Sequence, residues 1–206
     1  MTMLVKPRLT AQEYLERERA AEHRSEYWAG EMFAMAGASE AHNLIVTNVS
    51  GELRAQLKSR PCKTYSSDMR VKVEATGLYT YPDVVVVCGV ARFEDDHRDT
   101  LLNPTVIVEV LSPSTEAYDR GEKFAHYRRI ASLTDYLLAA QDKVRVEHFV
   151  RQPDDQWLLS EVSDLHASLA IVSIGCMLQL AEVYEKVDFA AVRADSSQSS
   201  TAPRPG

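Results

Sequence analysis

The chain has 206 residues and a net charge of −7 at pH 7, with 23 Lys and Arg against 30 Asp and Glu. Hydrophobic residues make up 45% of it, an ordinary share for a soluble globular protein and enough for one domain with a sizeable core. No apolar run approaches the roughly 20 residues that span a bilayer. The acidic balance argues against a protein that coats nucleic acid non-specifically, because such binding needs an excess of Lys and Arg.

The three cysteines, Cys62, Cys88 and Cys176, are far apart and form neither a CxxC pair nor a zinc-site spacing. We expect them to be buried thiols in a reducing compartment. The N-terminal residues contain no apolar stretch and carry charges early, which argues against a secretory signal. These features predict a cytoplasmic protein that does not enter a membrane.

The first part of the chain predicts two helices around a hairpin. Thr10 and Glu13 form a capping box, which marks the start of a helix. The segment SEYWAGEMFAMAG predicts a β-hairpin that turns at Ala29 and Gly30. A second helix is predicted by apolar residues that recur every four positions, namely Ile45, Val49, Leu53 and Leu57.

The next part of the chain predicts strands. The segment 69–74 alternates apolar and charged residues, whereas 82–88 and 105–111 are continuously apolar, as in strands covered on both faces. The polar segment 91–103 between the last two is expected to be a surface loop. The rest predicts a helix, three strands and a closing helix at 116–133, 135–140, 144–150, 157–162 and 180–187.

We therefore predict an α/β (α+β) fold in which helices flank a mixed central β-sheet. We see no internal repeat and no linker between domains, so a single domain is expected over residues 1–194. Residues 195–206 are rich in Ser, Pro and Gly, a composition that predicts a disordered tail.

Two carboxylates interrupt the two most apolar strands. Asp83 opens PDVVVV, and Glu109 lies late in TVIVEVL. If these strands are antiparallel neighbours, the start of one faces the end of the other, and the two carboxylates lie close together. Such a pair suits Mg²⁺ or Mn²⁺, which bind carboxylate oxygens together with waters and substrate phosphates. The alternative is that Asp83 caps a turn after Pro82 and that Glu109 pairs with an Arg or Lys.

Lys123 lies on the predicted helix after the SPST cluster, with Asp119 one turn earlier. On spacing alone the two form a surface salt bridge worth about 0.3–0.5 kcal/mol. The SPST cluster turns the chain from the Glu109 strand into this helix, so the first turns of the helix lie beside that strand end. Lys123 could therefore reach the carboxylate site, and both interpretations stay open.

The segments PDVVVV, PTVIVEVLSPST, YDRGEKFAHY and DYLLAA resemble the Uma2 family of bacterial proteins, as does the early segment EYWAGEMFAMAGASEAHN. The resemblance covers roughly residues 10–180. That family is assigned to the PD-(D/E)XK nuclease-like superfamily, so the resemblance implies a restriction-endonuclease-like fold.

The resemblance also implies site residues. In that superfamily an Asp and a Glu hold a divalent metal, and a Lys orients or activates the attacking water. The matching positions are Asp83 and Glu109 as Mg²⁺ or Mn²⁺ ligands, with Lys123 as the third catalytic residue. One departure is plain: the superfamily lysine normally lies two residues after the Glu, where this chain has Leu111.

Four further residues are candidates for supporting roles. His42 matches the early His of the family pattern and could bind phosphate or move a proton, with a structural hydrogen bond as the alternative. Glu31, after the hairpin glycine, could be an outer carboxylate or a solvated hairpin residue. Asp68 precedes the RVKV strand and could orient the site or form a turn. Asp119 is the fourth, as the neighbour of Lys123.

These observations predict a metal-dependent endonuclease that hydrolyses phosphodiester bonds of nucleic acid, with DNA as the expected substrate. A homodimer is expected by analogy, since enzymes that cut duplexes commonly use two sites. The rival from another class is a catalytically inactive nuclease-fold protein that binds or scaffolds, and the acidic net charge favours it.

Overall fold

A computed structural model describes residues 8–192 of the chain. The predicted domain end at residue 194 and the predicted tail lie outside these residues. The strands, in chain order, are β1 Ser25–Trp28, β2 Glu31–Ala34, β3 Cys62–Ser66, β4 Arg70–Val73, β5 Leu78–Thr80, β6 Val84–Cys88, β7 Thr100–Leu101, β8 Val106–Leu111, β9 Asp135–Ala140, β10 Val146–Arg151, β11 Trp157–Val162, β12 Ser168–Ile171 and β13 Cys176–Gln179.

The helices are mostly short. They are α1 Ala11–Ala20, α2 Glu40–Leu57, α3 Glu116–Tyr118, a π-helical turn Asp119–Lys123, α4 Phe124–Tyr127, a 3-10 turn Val172–Ile174 and α5 Leu180–Val183. The Thr10–Glu13 capping box predicted for α1 is present, with both reciprocal hydrogen bonds made. Within residues 8–192, no helix is long and apolar enough to cross a membrane.

A six-stranded mixed sheet forms the centre of the fold, in the order β11-β10-β9-β8-β6-β3. The β8–β9 pair is parallel, and the other neighbours are antiparallel. Apolar residues of α2 pack on one face of this sheet. The segment from α3 to α4 lies over the other face, where Tyr127 packs with Ile107 and Tyr136. The predicted mixed sheet flanked by helices is therefore confirmed.

A second sheet of five strands, in the order β2-β1-β5-β4-β7, was not predicted. Its strand β7 lies inside segment 91–103, where a surface loop was expected, so that prediction is wrong at this point. The two residues of β7 pair in parallel with β4, and Leu101 is buried. A two-residue strand is too short to show a periodic pattern. Strands β3, β5, β12 and β13 were also missed, and the predicted helices 116–133 and 180–187 end early, at Tyr127 and Val183.

Two of the three cysteines are not the free thiols that we expected. Cys62 and Cys88 lie opposite each other on antiparallel strands β3 and β6, and a disulfide joins them. Cys176 is buried and free, as predicted. The 26-residue separation of Cys62 and Cys88 gave no sign of the pairing, which arises from the register of the two strands.

The disulfide predicts a thiol count and a stability effect. Protein denatured without reductant should titrate with one thiol, from Cys176, and with three after reduction. Reduction should lower the free energy of unfolding by about 3.5 kcal/mol, because it frees a loop of this length in the unfolded chain. Three thiols before reduction would contradict the pairing. Cys176→Ser is the matched control, since it should show no thiol before reduction.

A buried polar network ties β9 to its surroundings. Asp135 accepts hydrogen bonds from His148 at 2.7 Å, from the Thr134 hydroxyl at 2.7 Å and from the Ser173 hydroxyl. Burial alone would raise the pKa of Asp135, but the hydrogen bonds from His148, Ser173 and Thr134 outweigh it and lower that pKa. The network therefore stabilises the ionised carboxylate.

A pH dependence of stability follows. The folded-state pKa of Asp135 lies below the ordinary value of 3.8, so the unfolded chain binds more protons near that pH. The stabilisation is present above about pH 4 and is lost as pH falls through the folded-state pKa. Asp135→Asn should lower the free energy of unfolding by about 2 kcal/mol at pH 7, with the difference shrinking below pH 4. Urea unfolding at pH 7 and below pH 4 measures this difference in the free energy of unfolding, with Asp142→Asn at an exposed position as the control.

Candidate active site

The sheet register brings Asp83 and Glu109 together. Strands β6 and β8 are antiparallel, and Val84 pairs with Val108. Continuing this register by one residue places Asp83 opposite Glu109, and the Cβ atoms of directly opposed residues are about 5 Å apart. The predicted antiparallel pairing of the two strands is confirmed, and it places both carboxylates at one end of the sheet.

Asp83 is held by the neighbouring strand and by α2. Its Oδ2 atom accepts a hydrogen bond from the backbone N–H of Val110 at 2.7 Å. The Nε2 atom of His42 lies 3.2 Å from the same oxygen. His42 is positioned by the start of α2, where the Ser39 hydroxyl accepts a hydrogen bond from the His42 N–H. The N-terminus of α2 therefore places the His42 imidazole beside Asp83 at the end of the sheet.

Glu109 is buried, with 4% of its surface exposed. Its Oε1 atom accepts a hydrogen bond from the Tyr127 hydroxyl at 2.7 Å and lies 2.9 Å from Nζ of Lys123. The alternative partner foreseen for Glu109, a basic side chain, is thus present. That basic side chain is Lys123. The salt bridge to Glu109 is therefore formed by a residue of the predicted site.

Lys123 is enclosed by carboxylates. Its Nζ atom lies 2.9 Å from Glu109, 3.2 Å from Glu26 and 3.5 Å from Asp119. Asp119 and Lys123 bound the π-helical turn, and both are buried. The pair is therefore not the exposed surface salt bridge that its spacing allowed. π-Helical turns inside α-helices frequently occur at functional sites.

The cluster contains more acidic than basic side chains. Burial raises the pKa of Glu109 to about 8; Lys123 opposes this shift, while Asp119 and Asp83 add to it. Burial also raises the pKa of Asp119. For Lys123, burial acts to lower the pKa, but Glu109, Glu26 and Asp119 outweigh it and raise it well above its ordinary value. Lys123 is therefore a cation, and among the acids around it Glu109 and Asp119 hold their protons more tightly than usual.

The donor set fits a divalent cation. Within the described residues, Oε2 of Glu109 and Oδ1 of Asp83 accept no hydrogen bond, so each carboxylate has an oxygen available. Residues 8–192 contain no group of three or more His, Cys, Asp or Glu side chains placed to hold a metal ion. Two carboxylates are nevertheless the usual protein contribution to a Mg²⁺ site, in which waters and substrate phosphate supply the other oxygens.

Comparison with known proteins places the chain in a family. The model of the Uma2 family, described as "Putative restriction endonuclease", matches residues 11–181. The chain belongs to the Uma2 family. Two uncharacterized proteins of Synechocystis sp. are similar to it. The protein sll1609 is 40% identical over 161 residues, covering 78% of this chain and 91% of its own, and slr1290 is 35% identical over 187 residues, covering 89% and 95%.

A solved structure has the same fold. It is a crystal structure from Anabaena variabilis described as "a putative nuclease belonging to DUF820", with a TM-score of 0.69 and 17% identity. The match covers 85% of this chain and 97% of that one. The likeness confirms the nuclease-like fold class that the Uma2 resemblance implied.

The fold brings together five of the seven residues predicted from the sequence. The group contains Asp83, Glu109, Lys123, His42 and Asp119. The other two, Glu31 and Asp68, do not join it. Glu31 is exposed at the start of β2. Asp68 has a side chain that is 80% exposed and pairs with Arg24 at 2.8 Å.

Glu26 is the site residue that the sequence analysis missed. The segment EYWAGE contains two glutamates, Glu26 and Glu31, and the prediction named only the second. In the structure Glu26 points from β1 to Lys123 and accepts a hydrogen bond from the Thr80 hydroxyl. The alternation of SEYW was the available signal, since Tyr27 is buried in a separate cluster and its neighbour Glu26 faces the other side.

Proposed function

We propose that this Uma2 protein is a metal-dependent endonuclease that hydrolyses phosphodiester bonds, with DNA as the expected substrate. One observation carries the proposal. Asp83 and Glu109 occupy opposed positions at one sheet end, with the ammonium group of Lys123 2.9 Å from Glu109. This is the residue set that the PD-(D/E)XK resemblance implies, although the lysine comes from a helix and not from the position of Leu111.

Asp83 and Glu109 would hold Mg²⁺ or Mn²⁺ through the oxygens that accept no hydrogen bond. Such an ion, when bound, lowers the pKa of a coordinated water and polarises the phosphate. Neighbouring residues of the chain orient these two carboxylates. Val110 and His42 fix the orientation of Asp83, and Tyr127 fixes that of Glu109.

Lys123 supplies a positive charge beside these carboxylates. Its ammonium group is held by Glu109, Glu26 and Asp119, so its position is set before substrate arrives. A fixed cation in a buried setting stabilises negative charge that develops on a phosphoryl group. We therefore assign Lys123 the role of stabilising that charge, and Glu26 and Asp119 the role of positioning Lys123.

A catalytically inactive binding protein is the second candidate. The observation that favours it is the enclosure of Lys123, whose side chain is 7% exposed and surrounded by three carboxylates. A lysine in this setting stabilises the fold whether or not the site cuts. The two candidates differ in one measurable property, since only the endonuclease cleaves phosphodiester bonds in nucleic acid.

The test is cleavage of plasmid, linear duplex DNA, single-stranded DNA and RNA with Mg²⁺ or Mn²⁺. Asp83→Ala and Glu109→Ala are purified in parallel. Metal-dependent cleavage by the wild type that is lost in both variants is the expected result. Equal activity in all three preparations would contradict the proposal, because it would point to a contaminant. The predicted homodimer stays a prediction, and sedimentation equilibrium of the same preparation measures it.

A further inference from the structure

A groove of about 780 Å³ lies beside α4, separate from the carboxylate cluster. Phe124 and Arg128 line this groove, whereas Lys123 and Tyr127, their neighbours in sequence, contact Glu109. The helix segment therefore has the site on one side and the groove on another. Three aromatic and three basic residues line the groove, namely Phe124, Phe149, Trp157, Arg128, Arg129 and Arg151.

The aromatic rings form a connected surface. The ring centroid of Phe124 lies 4.6 Å from that of Phe149 and 5.3 Å from that of Trp157. On its other side, Phe124 stacks on buried Tyr136 with centroids 5.1 Å apart. This packing fixes the position of Phe124. A rigid aromatic surface of this kind accepts nucleobases of any sequence by stacking.

The arginines make the groove locally basic in an acidic chain. Arg128 and Arg129 are exposed, and no carboxylate among the described residues pairs with either. Arg151 lies over the Trp157 ring at 4.9 Å and donates hydrogen bonds to the carbonyls of Arg128 and Ile130. Asp155 is the acidic residue of the groove, and its side chain is 84% exposed. Positive charge thus exceeds negative charge here.

The register sets the distance from Phe149, one residue of the groove, to Glu109 in the site. Phe149 pairs with Tyr136 on β9, and Tyr136 pairs with Ile107 on β8, two residues before Glu109. Two strand spacings and two residues along a strand amount to about 12 Å in the sheet. That separation corresponds to roughly three to four nucleotides of a stacked strand at about 3.4 Å each.

A larger groove of about 1040 Å³ lies at the other end of β8 and β9, and its charge is opposite. Four acidic residues and one basic residue line it, namely Glu40, Glu116, Asp142, Asp188 and Lys186. A polyanion is repelled by such a surface. Of these two grooves, only the one beside α4 has the charge and the aromatic rings that nucleic acid needs.

We propose that the groove beside α4 binds a single-stranded segment of the nucleic-acid substrate, with bases on the Phe124, Phe149 and Trp157 rings and phosphates on Arg128 and Arg129. Combined stacking and charge is the usual arrangement for single strands, whereas the bases of a duplex are stacked on one another and cannot stack on these rings. This inference rests on the proposed function, because it names a part of the substrate that is held away from the catalytic residues while another part is cut.

The first test is binding without cleavage. Fluorescence anisotropy in EDTA compares labelled single-stranded DNA, duplex DNA and RNA of equal length. The double variant Arg128→Ala/Arg129→Ala should bind single strands roughly tenfold or more weakly than wild type, with the salt slope smaller by about 1.4. The matched control is Arg54→Ala/Lys58→Ala, which removes the same charge from exposed positions at the end of α2, on the opposite face of the six-stranded sheet.

The second test locates the bound strand. The chain has two tryptophans, so Trp28→Phe leaves Trp157 as the reporter. Titration with an unlabelled single-stranded oligonucleotide should change Trp157 emission, with a midpoint equal to the anisotropy midpoint.

Three outcomes would overturn the groove proposal. They are wild-type affinity in the double variant, no binding of any strand by wild type, and a change in oligomeric state without a change in binding, which would indicate an interface between copies. None of them decides the proposed function, which the cleavage assay tests separately.

Discussion

Asp83→Asn and Glu109→Gln are each expected to lower metal-dependent cleavage by on the order of 10³-fold or more. Each change replaces an anionic metal ligand by a neutral amide of nearly the same shape. Asp83 also orients its carboxylate through Val110 N–H and His42, and asparagine can keep part of that geometry. The measurement is the initial rate of cleavage of the best substrate from the panel, with Mn²⁺ in excess.

Two exposed residues provide matched controls for this prediction. Asp68→Asn and Glu31→Gln make the same chemical changes at positions that the fold leaves outside the cluster. Both should keep the wild-type rate. If Asp83→Asn or Glu109→Gln retained activity within a few-fold of wild type, the assignment of the metal ligands would be wrong, whatever the controls did.

Lys123→Met is expected to lower the free energy of unfolding by about 3–5 kcal/mol at pH 8. The variant keeps Glu26, Glu109 and Asp119 without their cation, and uncompensated buried charge is costly. Methionine fits the space of the lysine stem, so the loss reflects charge more than volume. Urea unfolding followed by circular dichroism measures it.

An exposed lysine provides the control for Lys123→Met. Lys63→Met removes an exposed lysine from β3 and should change stability by less than about 0.5 kcal/mol. Adding Glu26→Gln to Lys123→Met should restore part of the loss, because it removes one of the unbalanced charges. If Glu26→Gln lowered stability equally with and without Lys123, the two side chains would not be coupled, and the proposed positioning role of Glu26 would be wrong.

The pair of carboxylates could be predicted because each of them interrupts an apolar strand, and this is visible in the sequence. Glu109 lies in an apolar run where an acid is costly without a partner, and Asp83 opens the other such run. One assumption, antiparallel pairing, then placed them together. Lys123 followed because the chain reverses after the strand, and the helix that follows lies over the same face of the sheet.

Other parts of the site depend on contacts that no local pattern encodes. Glu26 reaches Lys123 only because β1 belongs to a second sheet whose strands β5 and β7 are two or three residues long. The π-helical turn that buries both Asp119 and Lys123 has no sequence signature beyond an ordinary helical segment. The Cys62–Cys88 pairing likewise arises from the register of β3 against β6, which composition and spacing do not determine.

The most direct test of the central claim is Mn²⁺ binding measured by isothermal titration calorimetry on wild type, Asp83→Asn, Glu109→Gln and the exposed control Glu31→Gln. If Asp83 and Glu109 hold the ion, wild type and Glu31→Gln should bind Mn²⁺ with the same affinity. Asp83→Asn and Glu109→Gln should each bind it at least tenfold more weakly. Equal Mn²⁺ affinity in all four proteins, or no binding by wild type, would contradict the claim that this sheet end is a metal site.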